Sequence, residues 1–183
     1  RAEYRILLRQ DDADARLTER AYNIGLATTE RYNWWKEKKD AIEQLEHFCY
    51  NTSVKPADIN AKLEAIDTTP LRMGCKVSDL LSRPQISIDA LKTMIPELNE
   101  IIEKPENRKE EIAEAAEIKI KYKGYIEREK MVADKMHRLE DIKIRGHFNY
   151  SDILEISTEG RQKLETINPE TLAQASRIPG VSP

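Results

Sequence analysis

Cysteine and glycine are scarce in this chain of 183 residues. The two cysteines, Cys49 and Cys75, form no Cys-x-x-Cys pair, so the sequence predicts neither a disulfide framework nor a zinc site and favours a reducing cytoplasm. Only six glycines are present, and neither the dinucleotide fingerprint Gly-x-Gly-x-x-Gly nor a P-loop occurs. We therefore expect no cofactor-binding site in this chain.

Long apolar runs are missing as well. No run approaches the roughly 18 residues that a membrane-spanning helix needs, so no membrane association is expected. The chain opens on Arg1 with no initiator Met and no apolar leader, so we do not expect a secretory precursor. His47, His137 and His147 are scattered, and no carboxylate pair stands in an apolar setting that would tune its proton affinity. The sequence thus predicts neither a metal site nor a catalytic residue.

Charge and helical periodicity are what the chain has in abundance. Charged residues make up 34% and apolar residues 39%, with a net charge of −3, which is typical of a helix-rich protein with a modest core. We predict an all-α fold, an irregular helical bundle around one long helix with a small C-terminal helical appendage. The expected division places the bundle at 1–150 and the appendage, truncated at its C-terminal end, at 151–183. Helices are expected at 29–49, from Pro56 to about 66, and at 106–142, and a short strand is conceivable at 86–88.

The first nine residues carry arginines at every fourth position. On a helix, Arg1, Arg5 and Arg9 would fall within about 80° of one another and form one cationic stripe. Such a stripe suits bidentate contact with phosphate. The alternative is internal pairing, because residues 1–20 contain five arginines and five acidic residues. Thr18 is expected to cap the short helix that follows.

The predicted long helix has opposite net charges at its two ends and is amphipathic. Residues 97–117 carry a net charge of −5 and residues 119–145 a net charge of +4. The spacing predicts one apolar stripe, made of Ala115, Ile118, Tyr122, Tyr125, Ile126, Val132, Ala133, Met136 and Leu139. Lys119, Lys123 and Lys130 lie opposite that stripe and are interpreted as a solvated face. Lys121, Arg128 and Lys135 repeat at seven along its edge, beside Gly124, and could serve either RNA contact or packing.

The C-terminal tail is expected to contain short helices. They restart at Ser151, near Ser157, and at Asn168, which is followed by a proline suited to a first helical position. The last six residues, I-P-G-V-S-P, are similar to the turn of a helix-hairpin-helix, in which glycine amides hold a phosphate. A plain connection between two helices is the alternative.

Four stretches together resemble one protein family. They are R-A-E-Y-R-I-L-L-R-Q-D-D-A-D-A-R-L-T at 1–18, L-L-S-R-P-Q at 80–85, E-I-K-I-K-Y-K-G-Y-I-E-R at 117–128 and L-A-Q-A-S-R-I-P-G-V-S-P at 172–183. In order and spacing they are similar to the C-terminal region of the glucose-inhibited division protein A family of tRNA-modifying flavoproteins. The resemblance covers nearly the whole chain.

The resemblance implies functions that composition alone does not. Full-length members use FAD, with NADH as reductant, to install 5-carboxymethylaminomethyl on the wobble uridine of tRNA, as homodimers working with a partner GTPase. For this chain it implies tRNA and GTPase docking. The expected tRNA-binding residues are Arg1, Arg5, Arg9, Arg16, Lys121, Arg128 and Lys135. The expected partner-binding residues are Gln174, Ser176, Arg177, Ile178 and Gly180. The alternative function is a helical protein-protein interaction scaffold without a nucleic-acid role.

Overall fold

A computed structural model describes residues 4–146 and 148–181 of the chain, and helices dominate them. The helices are α1 (Ala13–Asn23), α2 (Thr29–Asn51), α3 (Pro56–Ala65), α4 (Val77–Leu81), α5 (Ile88–Met94), α6 (Pro96–Glu103), α7 (Lys109–Glu140), α8 (Thr158–Ile167) and α9 (Leu172–Ser176). Short 3-10 turns lie at Arg5–Leu7 and Tyr150–Asp152. Two antiparallel two-residue strands, β1 (Ser53–Val54) and β2 (Cys75–Lys76), pair Val54 with Cys75. The all-α prediction is confirmed.

The chain divides into two units, Arg1–Ile126 and Glu127–Pro183, and α7 passes from the first into the second. The expected division after residue 150 therefore lies inside the second unit. The physical reason is that the end of α7 and the loop after it bond to the tail. The backbone N–H of Ile144 donates to the carbonyl of Glu170 at 2.9 Å, and that of Leu172 donates to Ile142 at 3.0 Å.

The core of the first unit is organised by α2. Its buried positions, Trp35, Lys38, Ile42, Leu45 and Cys49, alternate steps of three and four, which places them on one helical face. The other helices contribute a contiguous set of buried apolar side chains that includes Ile59, Leu63, Val77, Leu80, Leu81, Ile88, Leu91, Leu98, Ile102, Ile112 and Ala116. The predicted start of α2 at 29 is confirmed, and Thr28 caps it by accepting from the N–H of Arg31 at 3.2 Å.

The predicted apolar stripe of α7 does not mark the most buried face of the helix in the first unit. There the helix buries Ile112, Ala113, Ala116 and Ile120, while Ala115 and Ile118 of the stripe are half-buried. Tyr122 and Tyr125 of the predicted stripe are exposed. In the second unit, Ala133, Met136 and Leu139 are half-buried, as the stripe requires, but Val132 is 47% exposed. A single helical period was fitted across a helix whose two ends pack with different partners, so it described neither end completely.

Four local expectations are also corrected. Residues 5–7 form a single 3-10 turn rather than part of a helix, and Thr18 lies buried inside α1 instead of capping it. Asn168 ends α8 in the left-handed conformation, at φ 46°, while Thr171 caps α9 by accepting from the N–H of Gln174. No strand forms at 86–88, within the described part of the chain, because Ser87 caps α5 and Ile88 begins it.

The second unit has a small core. Tyr150, Leu164 and Ile178 are buried, and Ile153, Ile156, Ala175 and Val181 pack around them. Ser157 begins α8 as predicted, because its hydroxyl accepts from the N–H of Gly160 at 3.1 Å. Gly160 lies where a Cβ atom would stand 2.8 Å from the carbonyl oxygen of Gly180. Glycine at this position therefore permits the close approach of the tail to α8.

Across residues 4–146 and 148–181, every helix is too short or too polar to cross a membrane.

Candidate nucleic-acid and partner interfaces

Two of the N-terminal arginines, Arg9 and Arg16, are neutralised within the chain. Arg9 donates from Nε to the carboxylate of Asp11 at 3.0 Å and lies 3.7 Å from that of Asp12. Arg16 donates from Nε to Asp12 at 2.9 Å and from Nη2 to the carbonyl of Arg9 at the same distance. These contacts favour the internal-pairing alternative for both arginines, although their side chains remain partly exposed.

Arg5 differs from Arg9 and Arg16. Its side chain is exposed and forms no ion pair with any residue that the structure describes. Arg1, the first arginine of the predicted stripe, lies outside the described residues. Because 5–7 form only a single 3-10 turn, a continuous helical stripe does not run through the described part of this segment.

The buried end of the Lys38 side chain joins three helices. Lys38 is 4% exposed and occupies a core position of α2, where its amine donates to Asp14 of α1 at 2.8 Å and to Glu111 of α7. Burial by itself lowers the pKa of this lysine, but the two carboxylates outweigh burial and raise it above the ordinary value. Sequence analysis did not single out the contacts of Lys38, because this lysine lies in a run of lysines and glutamates. The only available signal was its place in the three-and-four spacing of α2.

The lysines in the middle of α7 are engaged by neighbouring residues. Lys121 pairs with Glu117 at 2.8 Å, and Glu117 also accepts from the N–H of Ile88 at 2.7 Å. Lys119 pairs with Glu46 at 3.2 Å, and the amine of Lys123 lies 4.4 Å from the ring centroid of Tyr50. Of the three lysines predicted to form a solvated face, Lys123 and Lys130 are exposed as expected, whereas Lys119 is half-buried beside α2.

Arg128 and Lys135 are the predicted tRNA-binding residues of α7 that remain exposed. Neither forms an ion pair with a residue in the described ranges 4–146 and 148–181. Gly124 is exposed, and a Cβ atom added there would meet nothing within 4 Å. A ligand or partner can consequently approach the helix backbone at this position without displacing a neighbour.

The predicted partner-binding residues have different surroundings. Ile178 is 5% exposed and belongs to the core of the second unit, so it supports the fold rather than offering a free contact. Gln174 accepts from the N–H of Glu170 at 2.7 Å, and Ser176 donates to the carbonyl of Ala173 at 2.9 Å. Gly180 is exposed, at φ 95°, and its carbonyl accepts from Ser157 at 3.2 Å.

Arg177, the residue after α9, forms an ion pair with Glu140 at the end of α7. Its Nη2 donates to Glu140 at 2.8 Å, and this hydrogen bond lowers the pKa of Glu140 below its usual value. Both side chains remain exposed enough for a partner to reach them. The ion pair holds the guanidinium in one place at the surface.

Neither cysteine is suited to nucleophilic chemistry. Burial, with a smaller contribution from Glu46, raises the pKa of the Cys49 thiol to about 12. Burial and the nearby Asp79 also raise the pKa of Cys75. Thiols with raised pKa values hold little thiolate at neutral pH and react slowly. Among the described residues, no group of His, Cys, Asp and Glu is arranged to hold a metal ion.

Two family models match the chain side by side. The tRNA modifying enzyme MnmG/GidA C-terminal helical domain matches residues 29–130, and the MnmG/GidA C-terminal helical bundle matches residues 132–183. The chain belongs to the MnmG/GidA family. The meeting point of the two models agrees with the division of the structure within α7, between Ile126 and Glu127.

Similar MnmG proteins cover the whole chain. The protein named tRNA uridine 5-carboxymethylaminomethyl modification enzyme MnmG of Bacteroides thetaiotaomicron is 59% identical over 187 residues, which are 100% of this chain and 30% of that protein. The Listeria monocytogenes protein of the same name is 42% identical, over 100% of this chain and 28% of its own length. The chain thus spans about 30% of its MnmG relatives.

A solved MnmG/GidA structure is similar as well. The crystal structure of Aquifex aeolicus GidA matches with a TM-score of 0.59 and 31% identity, covering 100% of this chain and 27% of that one. The family resemblance inferred from the four sequence stretches is therefore confirmed.

Proposed function

We propose that this chain is the tRNA-binding and partner-binding C-terminal part of an FAD-dependent enzyme that installs 5-carboxymethylaminomethyl on the wobble uridine of tRNA. The observation that supports this most is the pair of adjacent family models, both described as C-terminal regions of a tRNA modifying enzyme. In the longer protein, FAD and its reductant NADH bind outside this chain, and the protein works as a homodimer in the cytoplasm.

The proposed tRNA contacts differ in what they do inside the chain. Arg5, Arg128 and Lys135 are exposed and form no ion pair with a described residue, so their charges are accessible to a tRNA phosphate. Arg9, Arg16 and Lys121 already hold Asp11, Asp12 and Glu117. We propose that Arg1 and the three cations without a described ion pair make the main contacts with the tRNA backbone. Arg9, Arg16 and Lys121 contact it while they keep their ion pairs within the chain.

The test is salt-dependent tRNA binding by the full-length protein. Each phosphate contact that is lost should flatten the plot of log affinity against log salt concentration by about 0.7 to 0.9. Arg128→Ala should therefore lower affinity and reduce the slope, and the loss should be similar for all substrate tRNAs because backbone contacts do not read sequence.

Arg72→Ala is the matched control. Arg72 is likewise exposed and forms no ion pair with a described residue, but it lies in the loop before β2. The variant removes the same charge, so the net-charge effect on affinity is equal in both proteins. If the two variants bind tRNA alike, with unchanged slopes and native melting temperatures, Arg128 does not contact tRNA.

We further propose that a GTPase docks on the tail, through exposed atoms of Gln174, Arg177 and Gly180, with Ser176 and Ile178 shaping the surface from within. The supporting observation is that the Arg177 guanidinium is held at the surface by Glu140. Arg177→Ala should weaken capture of the GTPase by the full-length protein while its flavin content stays unchanged.

Glu140→Ala distinguishes direct contact between Arg177 and the GTPase from a role of the ion pair in positioning α9. It removes the same ion pair but keeps the guanidinium. If Arg177 touches the GTPase, Arg177→Ala should weaken capture more than Glu140→Ala does. Equal losses would mean that the ion pair only positions α9, and unchanged capture in both would move the docking surface elsewhere.

A further inference from the structure

The N-terminal segment, residues 4–26, leaves large apolar side chains in solvent. The exposed fractions are 61% for Leu8, 55% for Leu17, 71% for Ile24 and 79% for Leu26. We call these four residues the N-terminal apolar surface. Within α1 the one buried residue is Thr18. The segment therefore keeps most of its apolar area outside the core of its unit.

The spacing places part of this surface on one face of α1. Leu17 and Ile24 are seven residues apart, which places them on one helical face. The N–H of Leu26 donates to the carbonyl of Ala21 at 2.8 Å, which folds the chain back beside the end of the helix. Large apolar side chains gathered in one place are typical of an interaction surface, whereas scattered ones are ordinary.

Helix α1 packs on α2, and two side-chain contacts join them. Asp14 pairs with Lys38 at 2.8 Å, and the ring of Tyr22 stacks on that of Tyr32 with centroids 4.3 Å apart. A helix of this length is marginal in water unless packing supports it. This packing on α2 leaves Leu17 and Ile24 of α1 exposed and free to contact another surface.

The lengths of the relatives indicate what that partner is. The chain covers all of its own length but only 30% of the Bacteroides thetaiotaomicron protein and 27% of the Aquifex aeolicus chain. Both family models describe the matched regions as C-terminal, so most of the longer protein precedes residue 1. Because α1 is the first α-helix, the preceding part is tethered within about a dozen residues of it, at a high effective concentration.

The local charge agrees with a protein partner rather than a polyanion. Residues 8–26 carry three arginines and four acidic residues, and two of those arginines, Arg9 and Arg16, are paired with Asp11 and Asp12. Their guanidinium charges are balanced by carboxylates, so they add little net positive charge beside the apolar side chains. A surface of this kind gains from apolar burial more than from electrostatic attraction.

We propose that the N-terminal apolar surface packs against the part of the full-length protein that precedes residue 1, as an interface between domains of one chain. The proposal rests on the family assignment and on the exposure of these four side chains. It is independent of the tRNA and GTPase contacts proposed above.

The experiment measures thiol accessibility in the full-length protein. Leu26→Cys is compared with Leu154→Cys, because both leucines are 79% exposed in this chain. Met73→Cys, at a position 76% exposed, is a second control within the first unit. Each variant is treated with a maleimide, and labelling at each cysteine is followed by mass spectrometry. We expect Leu26→Cys to react at least ten-fold more slowly than the faster control.

Three outcomes would overturn the proposal. Labelling of Leu26→Cys as fast as the faster control would mean that nothing covers the surface. Protection that disappears on dilution would assign it to a second copy of the protein, and protection that appears only when tRNA is added would assign it to RNA. Ile24→Cys provides a second position on the same surface if Leu26→Cys does not fold, and its labelling is judged by the same comparison.

Discussion

The two units of the chain reach stability in different ways. The first unit buries a contiguous apolar core drawn from α2 to α7, with Lys38 placed among the buried positions of α2. The second unit has a small apolar core centred on Tyr150, Leu164 and Ile178, and relies on caps and on the close approach of Gly160 to the tail. A large core can lose one side chain and persist, whereas a small one depends on each member.

The largest expected effect contrasts one leucine in each core. Leu→Ala substitutions at buried sites cost about 2–5 kcal/mol. Leu63→Ala in the first unit should lower the unfolding midpoint and leave α2 protected from hydrogen exchange. Leu164→Ala should abolish protection across α8 and α9, because the loss is comparable to the whole stability of so small a unit. Protected α8 amides in Leu164→Ala would show that the second unit does not depend on its small core.

A pair of glycine substitutions sharpens the contrast. Gly160→Ala should destabilise the second unit by about 1–3 kcal/mol, since the new Cβ would meet the Gly180 carbonyl oxygen at 2.8 Å. Gly124→Ala, in α7, meets nothing within 4 Å and should stabilise the helix by roughly 0.5–1 kcal/mol. Chemical denaturation monitored by circular dichroism measures both. Changes of the same sign in the two variants would contradict this account.

The buried lysine provides a smaller, pH-dependent effect. Lys38→Met should cost about 1–2 kcal/mol near neutral pH, because Asp14 and Glu111 lose their shared cation while staying partly solvated. The folded pKa of Lys38 is raised above its ordinary 10.5, so its stabilisation is complete below that pH and is lost as pH rises further.

Lys38→Met should remove the part of the alkaline destabilisation that begins above pH 10.5. The part that begins near pH 9.0 should remain, because burial raises the pKa of Cys49 from 9.0 to about 12 and the unfolded thiol ionises first. Unfolding midpoints measured from about pH 8 to about pH 11 separate the contribution of Lys38 from that of Cys49. An unchanged profile in Lys38→Met would show that the lysine is not paired in solution.

The smallest expected effect concerns the surface ion pair of the second unit. Arg177 lowers the pKa of Glu140, so this stabilisation is present above the unfolded value of 4.5 and is lost as pH falls through the folded value. Glu140→Gln should therefore reduce the difference in α9 hydrogen exchange between neutral and acidic pH. Identical pH dependence in both proteins would show that the exposed pair contributes nothing measurable.

Local signals predicted the helices well where caps and prolines mark their ends. Helices begin as expected at residue 29, at Pro56 and next to Ser157, and Thr28 and Ser157 cap two of them. Prediction failed where two local motifs compete for one residue. Asn168 suits both the start of one helix and the end of another, and the structure uses it in the left-handed conformation that ends α8.

The roles of individual charges were far less predictable. The heptad spacing grouped Lys121 with Arg128, yet Lys121 pairs with Glu117 while Arg128 stays exposed. Likewise, Lys38 looks like any other lysine of α2 until α1 and α7 bring Asp14 and Glu111 to it. Pairing across elements depends on residues distant in sequence, which periodicity does not detect.

The sequence by itself determined the helical class, the bounds of α2, α3 and α7 to within a few residues, and the family, because caps, apolar periodicity and motif order are local properties of the chain. Tertiary structure alone decided which face of α7 is buried in each unit, which arginines are neutralised and which apolar side chains of α1 remain exposed. Those outcomes follow from which surfaces meet, since burial and ion pairing are properties of the packed elements and not of one helix.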